Sequence, residues 1–327
     1  MLLRDGLIKG PQAEITPLTG GVSSEIYRVE EGENVFVVKR ALKKLKVADD
    51  WYVDLSRNAS EVEFLLCVQG FLPAAVPSVL FASKTDGYFV MDFLGEGFAN
   101  WKTLLLEGVR KTDHARKAAQ VLATIHRRTW DDPGIHARFE TTPNFIQLRL
   151  DPYLLTTGRR HPDLETHFIE EVARIESTRR CLIHGDYSPK NLLLHQDRLV
   201  VLDCEVAWFG DPAFDVAFLL NHFFLKSLRF TKSRDEFFPL IDVFGEAYGV
   251  ELGTEKLALI SPYLPRLLLM LMLARVDGKS PVEYLRDDEG KKNWLRRFTR
   301  ERIPRPPPDL ATLLNEWKNA LSQYHED

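Results

Sequence analysis

The alternation of apolar and polar residues changes character along this chain. Up to Leu94, short apolar or alternating runs such as EIYRV, NVFVVK and GYFVMDFL are separated by the turn-forming groups EEGEN and KTDG, which is the pattern of strands. One segment of this region, SRNASEVEFLLCVQG, instead places Val62, Leu65 and Leu66 at helical spacing. The pattern predicts a β-rich region that contains one helix.

From Gly95 onward the periodicity becomes helical. The stretch DHARKAAQVLATIHRR predicts a packed helix with one apolar face at Ala115, Ala118, Ala119, Leu122 and Ile125. Later apolar stretches predict further helices, PRPPP breaks the chain before the last of them, and CLIHGDYSPKNLLLHQDRLVVLDCEV forms a small island of strands. The pattern therefore predicts an α+β fold, with domains 1–94 and 95–327 joined by a short connector around Phe93 to Gly97.

Composition and charge exclude several classes of protein. The chain has 327 residues, 45% of them hydrophobic, and a formal net charge of −4, so we expect about two packed domains and no broad basic face for nucleic acid. The basic run KKNWLRRFTRER is expected to be a solvated helix face. The longest apolar run, LLLMLMLA, is much shorter than the roughly 20 residues that cross a bilayer, which predicts no membrane association.

The cysteines and the first residues bear on the compartment. Cys67, Cys181 and Cys204 lie among apolar residues without metal-ligand spacing, which favours reduced thiols in a core. The first residues, MLLRDGLIKGPQAE, lack the apolar region of a signal peptide. We therefore expect a cytoplasmic protein.

The candidate chemistry is concentrated in the strand island. Asp186 is followed five residues later by Asn191, and the strand RLVVLD then delivers Asp203, with Glu205 two residues further on the same face. Asn and Asp oxygens suit Mg²⁺, which also accepts phosphate oxygens. A phosphoryl-transfer site would use Asp186 to orient the attacking hydroxyl group and accept its proton, with Asn191 and Asp203 as metal ligands. The alternative is a surface turn with solvated charges.

The motifs HGDYSPKN, VLDCE and GDPAFDVA resemble those of the small-molecule kinases of the aminoglycoside phosphotransferase and choline kinase superfamily, relatives of the protein kinases. The order of LTGGVSSEIYRV, VVKRAL, SEVEFL and VMDFLGEG is also similar to that of methylthioribose kinases, although Asn191 departs from the pattern of that branch. The resemblance implies a two-lobed protein-kinase-like fold, with a small β-rich N-terminal lobe and a larger, mainly helical C-terminal lobe. It also implies ATP and Mg²⁺ as cofactors.

Within this resemblance, the N-terminal lobe supplies nucleotide contacts. Backbone N–H groups of Gly21, Ser23 and Ser24 would approach phosphate oxygens, although GGVSS could also be an ordinary hairpin turn. Lys39 would bridge the α and β phosphates with Glu61 as its partner; the alternatives are a surface lysine and Glu63 as the partner.

ATP is expected in the cleft around the connector MDFLGEG, with Met91 and Phe93 among the residues that bind it.

The remaining residues have supporting roles. His184 is expected to fix the catalytic loop by hydrogen bonding, because no second His or Cys stands at ligand spacing. The resemblance implies that Asp215 accepts N–H bonds from that loop. Glu205 would bind a second Mg²⁺ or cap the strand. Arg149 and Asp151 are acceptor candidates, with surface salt bridging as the alternative.

The function expected from the sequence is transfer of the ATP γ-phosphate to a hydroxyl group of a small metabolite. Residues 131–180 carry nine Asp or Glu against seven Arg, too little acidic bias for a polycationic aminoglycoside. A neutral or anionic acceptor, with a thioribose-like furanose as the first guess, is therefore favoured. The alternatives are an aminoglycoside phosphotransferase, a catalytically silent nucleotide-binding module, a protein kinase and a metal hydrolase. Whether the chain forms a homodimer is left open.

Overall fold

The computed structural model describes residues 1–18, 24–41, 57–83 and 85–324. The chain divides into two compact units. The first unit consists of Met1–Ala99 and Leu193–Ala207, and the second consists of Asn100–Leu192 and Trp208–Asp327. The division into domains after residue 94 remains a prediction.

An antiparallel sheet of five strands is the main element of the first unit, with strand order β1-β2-β3-β5-β4. The strands are β1 (Glu14–Pro17), β2 (Ser24–Glu31), β3 (Asn34–Ala41), β4 (Val79–Ala82) and β5 (Tyr88–Asp92). The hairpin between β2 and β3 has Gly32 at φ +63°, a conformation that glycine adopts without steric cost. The strand pairs predicted on either side of the helix are thus present.

The two faces of strand β3 lie in different surroundings because successive side chains of a strand point in opposite directions. Phe36 and Val38 belong to a buried apolar cluster that also contains Val29 and Tyr88. Lys39 is one residue out of phase with this cluster and therefore projects from the opposite face. The sheet itself thus directs Lys39 away from the apolar cluster.

Helix α1 (Arg57–Gln69) packs on strands β3, β4 and β5 of the same unit. It buries Val62 and Leu65 as predicted, together with Phe64 and Val68. The prediction was wrong for Leu66, which is 47% exposed. The packed face is therefore rotated from the one that the apolar spacing indicated.

The predicted strand island is present as short strands. They are β7 (Cys181–Ile183), β8 (Leu192–His195) and β9 (Arg198–Val201), and two short strands outside the predicted stretch, β6 (Ala99–Asn100) and β10 (Trp208–Gly210), pair with them. β7 pairs with β10, and the other three form a sheet of order β6-β8-β9. Because β9 ends at Val201, Asp203 and Glu205 lie beyond the strand, and the expectation that they share one strand face was wrong.

The second unit is mainly helical. Its helices are α2 (Trp101–Leu106), α3 (Thr112–Arg128), α4 (Pro133–Arg138), α5 (Thr142–Phe145), α6 (Thr156–Arg160), α7 (Glu165–Ser177), α8 (Pro212–Arg229), α9 (Phe238–Leu252), α10 (Thr254–Ile260), α11 (Leu264–Asp277), α12 (Glu289–Arg302) and α13 (Leu310–Ser322). The predicted apolar face of α3 is buried, and α3 packs against α9. Helix α8 is buried along almost its whole length and packs on α11.

Helix α12 contains the basic run that was expected to be solvated. One side of this helix is instead buried, including Lys291, Trp294, Leu295 and Phe298. The prediction of a wholly solvated face was wrong because apolar residues at helical spacing lie between the basic ones. Only the opposite side of α12 presents its charges to solvent.

One segment, Thr254–Asp277, is long and apolar enough to cross a membrane by length and composition alone. It comprises α10, a short 3₁₀ turn and α11, and 61% of its most apolar window is buried inside the protein. A buried core helix of a soluble protein has the same composition. The packing of α11 on α8 accounts for this apolar character.

Candidate active site

A buried ion cluster forms in the first unit around Lys39. The Nζ atom of Lys39 lies 2.8 Å from a carboxylate oxygen of Glu61 and 2.7 Å from Oδ1 of Asp203. Strand β3 and helix α1 supply the first two residues, and the segment after strand β9 supplies the third. Lys39 and Glu61 are almost fully buried, whereas the Asp203 side chain is partly accessible. The cluster therefore holds an ammonium group between two carboxylates.

Electrostatics keep this lysine charged. Burial alone would lower the pKa of Lys39, but the carboxylates of Asp203, Glu61 and Glu205 raise it above its usual value. At Glu61 burial has the opposite effect and raises the pKa, and the neighbouring Lys39 opposes that shift. Because charge pairing outweighs burial at Lys39, its side chain stays protonated, which is the state that can pair with a phosphate.

The carboxylates of this cluster are suitable for binding a divalent cation. Ligand atoms of Glu61, Asp203 and Glu205 all lie within 4.8 Å of one another. Asp203 has φ +60°, a left-handed conformation that is uncommon for residues other than glycine and often marks functional positions. Three carboxylates, of which that of Asp203 is partly accessible, fit Mg²⁺ or another hard divalent cation.

The ion pair between Lys39 and Glu61 leads to a test with a matched control on the same helix. Glu61→Gln is expected to lower kcat/KM for ATP by about 10- to 100-fold, because a charge-assisted hydrogen bond contributes about 1.5–3 kcal/mol. Glu63→Gln, two residues away, is expected to change it by less than about twofold. Steady-state kinetics with varied ATP measure both. Equal effects of the two substitutions would contradict a specific role for Glu61.

The other predicted nucleotide residues lie in the first unit or outside the described ranges. Ser24 is buried and begins strand β2. Met91 is buried in strand β5, and Phe93 follows that strand with the guanidinium group of Arg28 5.0 Å from its ring. Gly21 and Ser23 lie outside the described residues. The nucleotide contacts of these residues remain predictions.

In the second unit, a loop after strand β7 carries the predicted base. Gly185 of this loop has φ +74°, and the side chain of Asp215 accepts hydrogen bonds from the backbone N–H groups of His184 (2.7 Å) and Gly185 (2.9 Å). The N–H of Asp186 donates to Nδ1 of His184 at 3.1 Å. These bonds fix the backbone on both sides of the turn, so the loop presents Asp186 in a defined position.

The side chain of Asp186 lies between two cations of the second unit. Its Oδ2 atom is 3.1 Å from Nη2 of Arg149 and 2.9 Å from Nζ of Lys190. The amide of Asn191 donates to the backbone carbonyl of Asp186 at 2.9 Å. Asp186 is buried, so these two side chains, and not solvent alone, compensate the charge of its carboxylate.

Arg149 and Asp151 belong to an irregular element. They lie in a π-helix, Ile146–Leu155, that contains Pro152, and π-helical segments are frequent at functional sites. Arg149 is buried and bonded to the loop through the carbonyl of Gly185, so the alternative of a surface salt bridge was wrong for it. Asp151 does form such bridges, at 2.6 Å to both Arg159 and Lys279.

Sequence analysis did not identify two lysines of the second unit. Lys190, which lies inside the motif HGDYSPKN, received no predicted role, yet it pairs with Asp186. Lys226 is buried in α8, and its neighbours at helical spacing include His222 and Arg229 but no acidic residue. A lysine in an apolar helix without an acid three or four residues away is a signal that could have been recognised.

A family model described as the phosphotransferase enzyme family matches residues 14–256. This match covers most of the chain, which therefore belongs to that family. The predicted class of enzyme, a phosphotransferase of this superfamily, is thereby confirmed.

The individual proteins that this chain resembles share only a small part of its sequence. A methylthioribose kinase from Exiguobacterium sibiricum is 26% identical over 73% of this chain and 68% of its own length. The chain spans 62–68% of the length of the methylthioribose kinases that it matches.

Solved structures show the fold. An ethanolamine kinase from Plasmodium vivax has a TM-score of 0.53 at 12% identity, covering 98% of this chain and 85% of its own. An amicoumacin kinase in complex with AMP-PNP, Ca²⁺ and Ami has a TM-score of 0.53 at 14% identity, covering 89% and 88%. The predicted kinase-like α+β fold is confirmed.

Proposed function

We propose that this protein is an ATP-dependent kinase that transfers the γ-phosphate of ATP to a hydroxyl group of a small molecule. The observation that carries the proposal is the buried cluster of Lys39, Glu61 and Asp203, in a chain that belongs to the phosphotransferase enzyme family. Phosphoryl transfer needs positioning and charge neutralisation more than covalent participation of the protein. The residues of both units suit these tasks.

On the nucleotide side, Lys39 binds phosphate oxygens of ATP and Glu61 holds its side chain in place. Asp203 and Glu205 would hold Mg²⁺, and the sequence predicts Asn191 as a metal ligand as well. The ion, when bound, neutralises charge on the transferring phosphoryl group. The complex of an amicoumacin kinase of similar fold with AMP-PNP and Ca²⁺ supports a nucleotide and a divalent cation.

On the acceptor side, Asp186 orients the attacking hydroxyl group and takes its proton. Arg149 and Lys190 restrain the carboxylate, and the hydrogen bonds of Asp215 hold the loop that carries it. A carboxylate paired with cations is a weak base, so orientation of the hydroxyl group is its larger contribution. Proton transfer is then expected to accompany, and not precede, phosphoryl transfer.

We further propose that the acceptor is a neutral or anionic hydroxylated metabolite, with a thioribose-like furanose as the first example. The similarity to methylthioribose kinases supports a sugar, and the balanced charge of the predicted acceptor segment disfavours a polycation. Aminoglycosides are the second candidate because they too present hydroxyl groups. A silent nucleotide-binding module is disfavoured because Asp186, Asn191 and Asp203 are all present.

Kinetic comparison of two acceptor panels tests this choice. With saturating MgATP, we expect the highest kcat/KM among hydroxylated sugars and sugar derivatives, and values at least about tenfold lower for kanamycin-type acceptors, since several ammonium groups would lack carboxylate partners. Coupled ADP release and mass spectrometry of the products measure both panels. A kanamycin-type acceptor that exceeds every sugar would overturn the choice.

We propose that the enzyme is cytoplasmic and that its partner is a small-molecule substrate. We propose no binding to nucleic acid or to a membrane. The net charge of −4 and the reduced, buried cysteines support this setting. A homodimer remains an open proposal.

A further inference from the structure

A buried lysine of the second unit makes no ion pair with the residues that the structure describes. Lys226, on helix α8, is only 1% exposed, and its Nζ atom lies 4.8 Å from the ring centroid of Tyr284. Among the residues that the structure describes, no carboxylate and no hydrogen-bond acceptor contacts this ammonium group. His222, one helical turn earlier, is also buried, and its Nδ1 atom has no hydrogen-bond partner.

Two further polar atoms in this neighbourhood are buried without a hydrogen-bond partner among the described residues. They are the hydroxyl group of Tyr284 and Nε of Arg275. Arg275 uses Nη1 to donate to the hydroxyl groups of Tyr153 and Ser280, each at 3.1 Å. Buried donors are normally bonded, so this group of donors indicates that an acceptor is missing.

The charges of this neighbourhood do not cancel. Burial, followed by repulsion from Lys102, lowers the pKa of Lys226 to about 7 despite the opposing effect of Glu283. Glu283 is itself paired with Lys102. Burial together with Lys226 and Arg275 lowers the pKa of His222 well below its usual value. An uncompensated buried cation is costly, and a bound anion would offset that cost.

These residues connect to the proposed base through contacts within the second unit. The guanidinium groups of Arg275 and Arg149 lie 5.6 Å and 6.0 Å from the ring of Tyr153. Arg149 in turn contacts Asp186 at 3.1 Å. Within the group formed by His222, Lys226, Arg275 and Tyr284, here the cationic cluster, Arg275 is therefore one aromatic residue and one arginine away from Asp186.

We propose that the acceptor carries an anionic group, a carboxylate or a phosphate ester, which binds Lys226 and Arg275 while its hydroxyl group is presented to Asp186. This inference rests on the proposed function and narrows its acceptor class to anions. The Tyr284 hydroxyl group donates to the same anion. The cluster repels a polycationic acceptor for the same electrostatic reason.

Matched acceptor pairs test the inference by activity. We expect D-glycerate to exceed glycerol, or D-ribose 5-phosphate to exceed D-ribose, by about 10- to 100-fold in kcat/KM, the range of one charge-assisted hydrogen bond. The first pair tests a carboxylate and the second a phosphate ester. In Lys226→Met, KM for the preferred anion is expected to rise by a similar factor, while KM for ATP stays unchanged.

The control is Lys318→Met, because Lys318 also lies over an aromatic ring, 5.2 Å from that of Phe238, but on the partly exposed helix α13. It is expected to leave both KM values unchanged. Ligand-free Lys226→Met is expected to unfold at or above the wild-type temperature, because it removes a buried unpaired charge. A change in KM for the anion in Lys226→Met that is no larger than the change in Lys318→Met would overturn the inference.

A binding measurement separates this inference from the proposed function. D-glycerate or D-ribose 5-phosphate should raise the thermal midpoint of the wild-type protein and of Lys318→Met but not of Lys226→Met, even if neither compound is phosphorylated. Phosphorylation of neutral acceptors only, with no stabilisation by either anion, would leave the kinase function standing and overturn the anionic acceptor. Equal stabilisation of wild type and Lys226→Met would also overturn it.

Discussion

Replacement of Asp186 by asparagine is expected to lower kcat by about 10²- to 10⁴-fold, the contribution that a positioned general base typically makes. The substitution keeps the size of the side chain and removes its charge, so the hydroxyl group of the acceptor loses the group that orients it and accepts its proton. KM for ATP should remain within about twofold of wild type, because Asp186 is assigned to the acceptor. Steady-state kinetics with ATP and acceptor varied separately measure the two effects.

Asp242→Asn is the matched control, since Asp242 is an exposed carboxylate of the same unit. It is expected to leave kcat unchanged. Thermal unfolding of Asp186→Asn checks that the loop held by Asp215 is intact. An unchanged kcat in a folded Asp186→Asn protein would remove Asp186 from the mechanism.

The second large effect is expected at Asp203. Asp203→Ala should lower turnover by at least about 10³-fold, because metal stabilisation of the transferring phosphoryl group is worth several kcal/mol. Wild-type protein in EDTA should be equally inactive and should recover with Mg²⁺, whereas Asp203→Ala should not recover at the same concentration. Titration of activity with Mg²⁺ measures both proteins.

Folding of the Asp203→Ala protein is expected to persist, because Lys39 keeps its pair with Glu61. Its thermal midpoint is the control for a general loss of structure. Turnover by the wild-type protein in the presence of EDTA would contradict the metal-dependent account.

The sequence predicted where helices lie better than it predicted which of their faces pack. Helix α3 buries the face that its periodicity indicates, because a long helix with repeated alanines has one packing solution. In α1, the apolar spacing indicated a packed face that includes Leu66, and packing on the sheet selected a rotated face that exposes it. Only tertiary contacts could make that choice.

The candidate site shows the same limit. Asp186, Asn191 and Asp203 were predicted because they lie near one another in the sequence. The position of Lys39 between Glu61 and Asp203 was not predicted, since these residues are far apart in the chain. Lys226 was missed because a lysine in an apolar helix has no neighbour in sequence that explains it. Its missing partner becomes apparent only when the surrounding side chains are placed.

The cationic cluster connects the stability of this protein with the acceptor that we propose. Glu283 is the carboxylate that acts on both Lys226 and Arg275. It is already paired with Lys102, so one carboxylate faces three cations, an arrangement that folding alone does not favour. Proteins tolerate such costs at functional sites. The cationic cluster is therefore easier to explain as a binding feature than as part of the core.

Transfer of the γ-phosphate to a small molecule is the central claim, and one measurement tests it most directly. The protein is incubated with Mg²⁺, ATP labelled in its γ-phosphate and a metabolite library that includes neutral and anionic hydroxylated compounds, and the products are identified by mass spectrometry. The account predicts that the label appears in a phosphate ester of a small molecule, and that Asp186→Asn protein does not form it. Label found only in ATP, inorganic phosphate or protein, or an equal yield from Asp186→Asn, would contradict the account.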